Sequence, residues 1–135
     1  MVERKSEPLD VADLVPVSAP DGLKVYELLS ASGGSMAVFE LAPGLVGRAV
    51  EHAELDELWY FTAGAGQLWR ADDQEERVDD VAAGVCVCIP RNTRFQVRAT
   101  GAEPLTAVAV TMPPWPGAEA ARVVPGRWRA TEDAL

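Results

Sequence analysis

The residues best suited to chemistry in this chain are His52, its only histidine, and Glu57 five positions later. An imidazole and a carboxylate brought together can move a proton on and off a bound molecule. That work needs a carboxyl group titrating closer to neutrality than usual, and burial supplies the shift by penalising the charged form. Trp59 and Phe61 alternate with Glu57, so on a strand all three share one face. If that face turns inward, the carboxyl's pKa should rise. Hydrolysis through a Ser or Cys nucleophile is not expected, because the single His would have to serve it and no nucleophile motif is present. Cys86 and Cys88 stand at i and i+2, which is not a zinc-type C-x-x-C. On a strand they point the same way, near the limit for bridging, and they read as two small buried hydrophobes.

The elements that must position these groups are short β-like runs broken by turn residues from Leu23 onward. Strands are expected over 25–29, 35–41, 46–50, 57–62, 67–70, 77–81, 85–89, 94–98 and 106–112. Gly33-Gly34, Ala42-Pro43-Gly44 and Ala63-Gly64-Ala65-Gly66 carry the Pro and Gly that turns require. Asp72-Asp73-Gln74, opening an acidic run to Glu76, reads as a solvated hairpin tip. No segment of the body has a 3.6-residue apolar period. Residues 1–22 carry Pro8, Pro16 and Pro20 and read as an arm, with one helical turn over 9–14 started by Ser6 or Pro8. Pro113-Pro114-Trp115-Pro116-Gly117 opens a tail that cannot begin as regular structure. Val123, Val124 and Trp128 are apolar enough to dock on a neighbouring surface.

Two segments resemble the two motifs of the cupin superfamily. The first runs Gly, five residues, His-x-His, three or four residues, Glu, six residues, Gly, and here it reads Gly44, Val50, His52, Glu57, Gly64 at that spacing. The second runs Gly, five residues, Pro-x-Gly, two residues, His, three residues, Asn, and here it reads Gly84, Pro90-Arg91-Asn92, Phe95, Ala99. The chain is more closely similar to a group of small single-domain bacterial cupins of the cupin 2 type. These run Arg-Ala-Val-x-His before the Glu and end in Thr-Met-Pro-Pro-Trp-Pro-Gly, here Arg48 to His52 and Thr111 to Gly117. The resemblance implies an all-β fold, a cupin-type double-stranded β-helix (jelly-roll) barrel with extended N- and C-terminal arms. It divides the chain into an arm (1–22), a barrel (23–112) and a tail (113–135) packing on the barrel or on a partner. In metal-binding cupins, four motif side chains converge inside the barrel. The corresponding positions here are Val50, His52, Glu57 and Phe95, of which only His52 and Glu57 can ligate, short of the usual three protein ligands of a catalytic site.

The resemblance therefore implies a small-molecule-binding cupin with an incomplete metal-ligand set. No cofactor is expected, and Glu57 and His52 would serve as a metal-independent isomerase, cyclase or lyase pair. Val50, Trp59, Phe61 and Phe95 would form the ligand wall. Arg48, Arg94 and Arg98 are the basic groups near the motifs, and Arg48, if inward, would select an anionic ligand. Trp69 and Trp115 are expected to pack on the surface rather than rim the mouth. Two alternatives stay open. One is a non-catalytic binding or sensing module. The other is a metal-dependent cupin, of dioxygenase or sugar isomerase type, holding a divalent transition metal on His52 and Glu57. A net charge of −9, from 21 acidic against 12 basic residues, argues against nucleic acid and against an anionic membrane surface. No apolar run approaches membrane-spanning length, and the polar start of the sequence points to the cytoplasm. Open sheet edges call for cover, so a homodimer is expected.

Overall fold

The computed structural model describes residues 7–117 and 121–131, and its regular structure is almost wholly β. Among its described residues the arm holds one 3₁₀ turn, Val11–Asp13, whose N-cap is Asp10. The Asp10 carboxylate accepts from the Ala12 amide at 2.9 Å. The turn thus starts later than the sequence predicts, because a side-chain acceptor at the cap outweighs the proline before it. Ser6, the other proposed start, lies outside the described residues.

Eleven strands follow among the described residues: β1 (Val17–Ser18), β2 (Lys24–Ala31), β3 (Gly34–Leu41), β4 (Val50–Glu51), β5 (Asp56–Ala63), β6 (Ala65–Ala71), β7 (Glu76–Ala82), β8 (Cys86–Ile89), β9 (Arg94–Ala99), β10 (Leu105–Met112) and β11 (Arg122–Val123). They form two antiparallel sheets, ordered β1-β2-β3-β10-β5-β8 and β11-β4-β9-β6-β7. Chain neighbours part company in this order: β10 lies between β3 and β5, and β9 between β4 and β6. That is the winding of a double-stranded β-helix, and it bears out the expected cupin-type jelly roll. Alternation does the rest. In β3, β5 and β10 every second residue is buried, and these residues meet those of the facing sheet in one core that includes Phe39, Trp59, Phe61, Leu68, Phe95 and Leu105.

Two local expectations change. The stretch 46–50 is not a continuous strand: Val46 makes an isolated bridge to Arg98, and pairing resumes only at Val50. The intervening backbone bonds elsewhere, with Gly47 N donating to Val97 O at 2.9 Å and Arg48 N to Asp21 O at 2.7 Å. The Ala63 to Gly66 turn shrinks to Gly64 alone, with φ of 79°. A Cβ there would strike the Pro104 carbonyl and the Leu105 Cα.

The cysteines are also placed differently. Cys86 and Cys88 are exposed, because the register of β8 on β5 pairs inward Glu57 and Trp59 with Ile89 and Val87. The two thiols therefore share the outer face with Tyr60 and Leu58. That face presents partly exposed apolar side chains: Met36 is 41% exposed, Leu58 46% and Tyr60 49%. The outer face of the other sheet is covered by the tail. Val124 and Trp128 pack on Ala49, Trp69 and Ala71, and the buried Gln96 amide clamps the tail. Its Nε2 donates to the Gly47 and Trp128 carbonyls, both at 2.8 Å, and its Oε1 accepts from Trp128 N at 2.9 Å. The acidic run is an exposed tip, with Asp72 accepting from the Gln74 and Glu75 amides. No helix among the described residues is long and apolar enough to cross a membrane.

The geometry at Gly64 makes a direct prediction. Gly64→Ala combines a left-handed backbone with a backbone clash and should cost about 2–4 kcal/mol. In urea unfolding the midpoint should fall with the slope unchanged; a loss below about 0.5 kcal/mol would refute the account of this turn.

Candidate functional site

All four motif positions open onto one cavity inside the barrel. Val50, His52, Glu57 and Phe95 line it, and the cavity has a volume of about 60 Å³, enough for several waters or a small organic molecule. Val50 on β4 pairs with Phe95 on β9, which brings the first and second motifs side by side. His52 follows β4 directly, and its carbonyl accepts from the Asn92 amide at 2.7 Å. Asn92 adopts φ of 65°. The residue standing where the cupin motif has Gly is thus one of the few others that tolerate a left-handed backbone. Glu57 enters from β5. Its neighbour Asp56 faces outward and grips Arg91 through the Arg91 amide at 2.9 Å and the guanidinium at 3.1 Å. The two motif segments are therefore tied at two points, Asn92 to His52 and Arg91 to Asp56. The Asp56–Arg91 pair is about half exposed, so it fixes geometry more than it adds stability.

Inside, Glu57 Oε1 accepts from Trp59 Nε1 at 3.2 Å. Oε2 is buried, has no hydrogen-bond partner among the described residues, and lies 3.6 Å from His52 Nε2. Burial raises the Glu57 pKa to about 7; the Trp59 donor opposes this and the Asp21 carboxylate adds to it. Trp59 packs edge-on against Phe39 and Phe95, with centroids 4.4 and 5.4 Å away. His52 stacks on Phe95 at 6.1 Å.

Not every predicted site residue is in the wall. Trp59, Val50 and Phe95 line the cavity. Phe61 is wholly buried behind Trp59, with their centroids 6.0 Å apart, and is core rather than lining. Arg48 is also outside the lining, because its guanidinium is drawn to the Pro20 carbonyl at 3.2 Å. Trp69 is buried under the tail, donating to Glu76 Oε1 at 2.8 Å. Trp115, by contrast, lines the cavity. Its amide donates to Ser35 Oγ at 2.9 Å, and Ser35 is hydrogen-bonded to Thr111 Oγ1 at 2.7 Å. Ser35 and Thr111 are lining residues that sequence reasoning missed. Their signal was readable, since small polar residues stand in inward register with Ala37 and Ala109. Asp21, also in the wall, lies in the arm where no periodicity could mark it.

The donor set does not fit a transition-metal centre of the usual three or more protein ligands. Val50 and Phe95 occupy two of the four positions, and no group of three His, Cys, Asp or Glu that could hold an ion occurs among the described residues.

Glu57 holds its proton more tightly folded, near pH 7, than unfolded, near 4.5. The stability it contributes is full below about pH 4.5 and is lost as pH rises to about 7, a change of about 3 kcal/mol. Denaturation between pH 5 and 8 should therefore show Glu57→Gln with a flatter profile than the parent, gaining on it as pH rises. Parallel profiles would contradict the buried carboxyl.

Comparison with known proteins now bears on this geometry. The family profile described as Cupin domain matches residues 37–111. No curated protein matches the sequence. Among solved structures, the fold is similar to an uncharacterised protein with a double-stranded β-helix domain from Klebsiella pneumoniae, at TM-score 0.68 and 17% identity, covering 90% of this chain and 100% of that one. It is similar to Lactobacillus farciminis oxalate decarboxylase, at TM-score 0.70 and 24% identity, covering 84% of this chain but only 34% of that longer protein. It is also similar to KdgF from Halomonas sp., at TM-score 0.66 and 15% identity, covering 79% and 94%. At these identities the likeness is one of fold.

Proposed function

The chain belongs to the cupin domain family, and from that premise we propose that its barrel binds a small organic molecule on which Glu57 and His52 move a proton. The observation that carries the reading is the bare Glu57 Oε2, buried in a cavity wall beside His52. A carboxyl titrating near 7 is present in both forms at neutral pH, so it can take a proton from a ligand and return one. In an isomerisation the carboxylate takes a proton from one ligand atom, and the electron pair stays on the ligand. The carboxyl, or a protonated His52, then delivers a proton to a second atom. If the electron pair expels a leaving group instead, the outcome is that of a lyase. Trp59 Nε1 fixes the carboxyl plane by holding Oε1, which leaves Oε2 for the ligand. No step needs a metal.

The test is a screen of small organic molecules for binding and turnover. Glu57→Gln should lower turnover about 10²- to 10⁴-fold and keep binding. A ligand that binds at these residues and is never turned over would make the protein a carrier or sensor.

We also propose that the partly exposed apolar face of Met36, Leu58 and Tyr60 pairs with a second copy, since apolar sheet surface of this kind seeks cover. Sedimentation should show a dimer at micromolar concentration, converted to monomer by Leu58→Glu with Tyr60→Glu. A monomeric parent protein would remove the proposal.

A further inference from the structure

We infer that the cavity is built for a small organic cation, of which a primary ammonium is the simplest case, and against a carboxylate. The inference rests on the reading of the cavity as a ligand site and names the class of ligand. Glu57 is 7% exposed, and its Oε2 is an acceptor with no hydrogen-bond partner among the described residues. An acceptor left open in an apolar wall calls for a donor, and an ammonium brings three together with the complementary charge. The rest of the wall suits such a group. Phe39, Trp59, Phe95 and Trp115 all line the cavity, and aromatic rings attract a cation more strongly where water is excluded.

The charge balance points the same way. No Arg or Lys lines the cavity among the described residues, while a second carboxylate, Asp21, does. An anionic ligand would lie beside the Glu57 carboxyl and would bring into a largely apolar barrel a charge that no Arg or Lys of the described lining meets. Arg48, which would select an anion only if it faced inward, bonds the Pro20 carbonyl and stays out of the lining.

Isobutylammonium, isobutanol and isobutyrate share a branched carbon skeleton and differ in charge. They are titrated into the intact protein and followed by calorimetry and by tryptophan fluorescence, since Trp59 and Trp115 lie in the wall. The ammonium should bind about tenfold or more tighter than the alcohol, with isobutyrate weakest. Glu57→Gln should bring the ammonium to near parity with the alcohol while alcohol binding persists, which also reports that the variant is folded. Isobutyrate binding as tightly as the ammonium in the parent protein overturns the inference. Equal binding of ammonium and alcohol overturns the charge preference and leaves the cavity standing as a ligand site. No response to any of the three overturns both.

Discussion

Taking the Glu57 carboxylate out of water costs several kcal/mol unless it is protonated, paired or hydrogen-bonded. The barrel answers with one hydrogen bond from Trp59, a His52 nitrogen 3.6 Å away and a pKa near 7, rather than with a full set of donors. Fully satisfied, the group would be a structural strut. Left half-satisfied against an open cavity, it can exchange a proton or accept a ligand's donor. Trp59 shares in this twice over, as the donor that orients the carboxyl and as the ring that excludes water from it.

The supporting structure is mostly backbone. The Asn92 amide holds the His52 carbonyl, the β4–β9 register sets Val50 beside Phe95, and Arg91 ties the second motif to Asp56 at the start of the strand that carries Glu57. The one ion pair in this set, Arg91 with Asp56, is about half exposed, so its energy is small. What these ties contribute is restriction: each removes a way for the two motif segments to slide past one another. Ser35 and Thr111 do the same in the cavity wall, where their hydroxyls are hydrogen-bonded to each other and Ser35 Oγ receives the Trp115 amide.

Much of the fold was legible in the sequence because strand alternation and turn chemistry are local. The inward set Glu57, Trp59, Phe61 follows from a period of two, and the motif spacing brought Val50, His52, Glu57 and Phe95 to one place. What could not be read depends on contacts distant in sequence. Arg48 was drawn to Pro20, twenty-eight positions away, and Trp115 was seated on Ser35, eighty away. Phe61 and Trp59 share a face and differ only in depth, which alternation does not encode. The cysteines were misread for a related reason. In a short strand with apolar residues at every position, composition does not say which face is inward, and only the pairing of β8 with β5 decides it.

The cavity wall draws on Asp21, His52, Phe95, Trp115 and Ala121, so it is assembled from nearly every part of the described chain. A growing polypeptide presents its early strands long before Trp115 and Ala121 exist. Until those residues have been made and seated, Glu57 stands in an unfinished and wetter enclosure, with no closed apolar surroundings to raise its pKa. The site is therefore a late product of folding, and contacts of such long sequence separation form slowly. A nascent or clipped chain can therefore hold most of the barrel's strands and still lack the closed cavity.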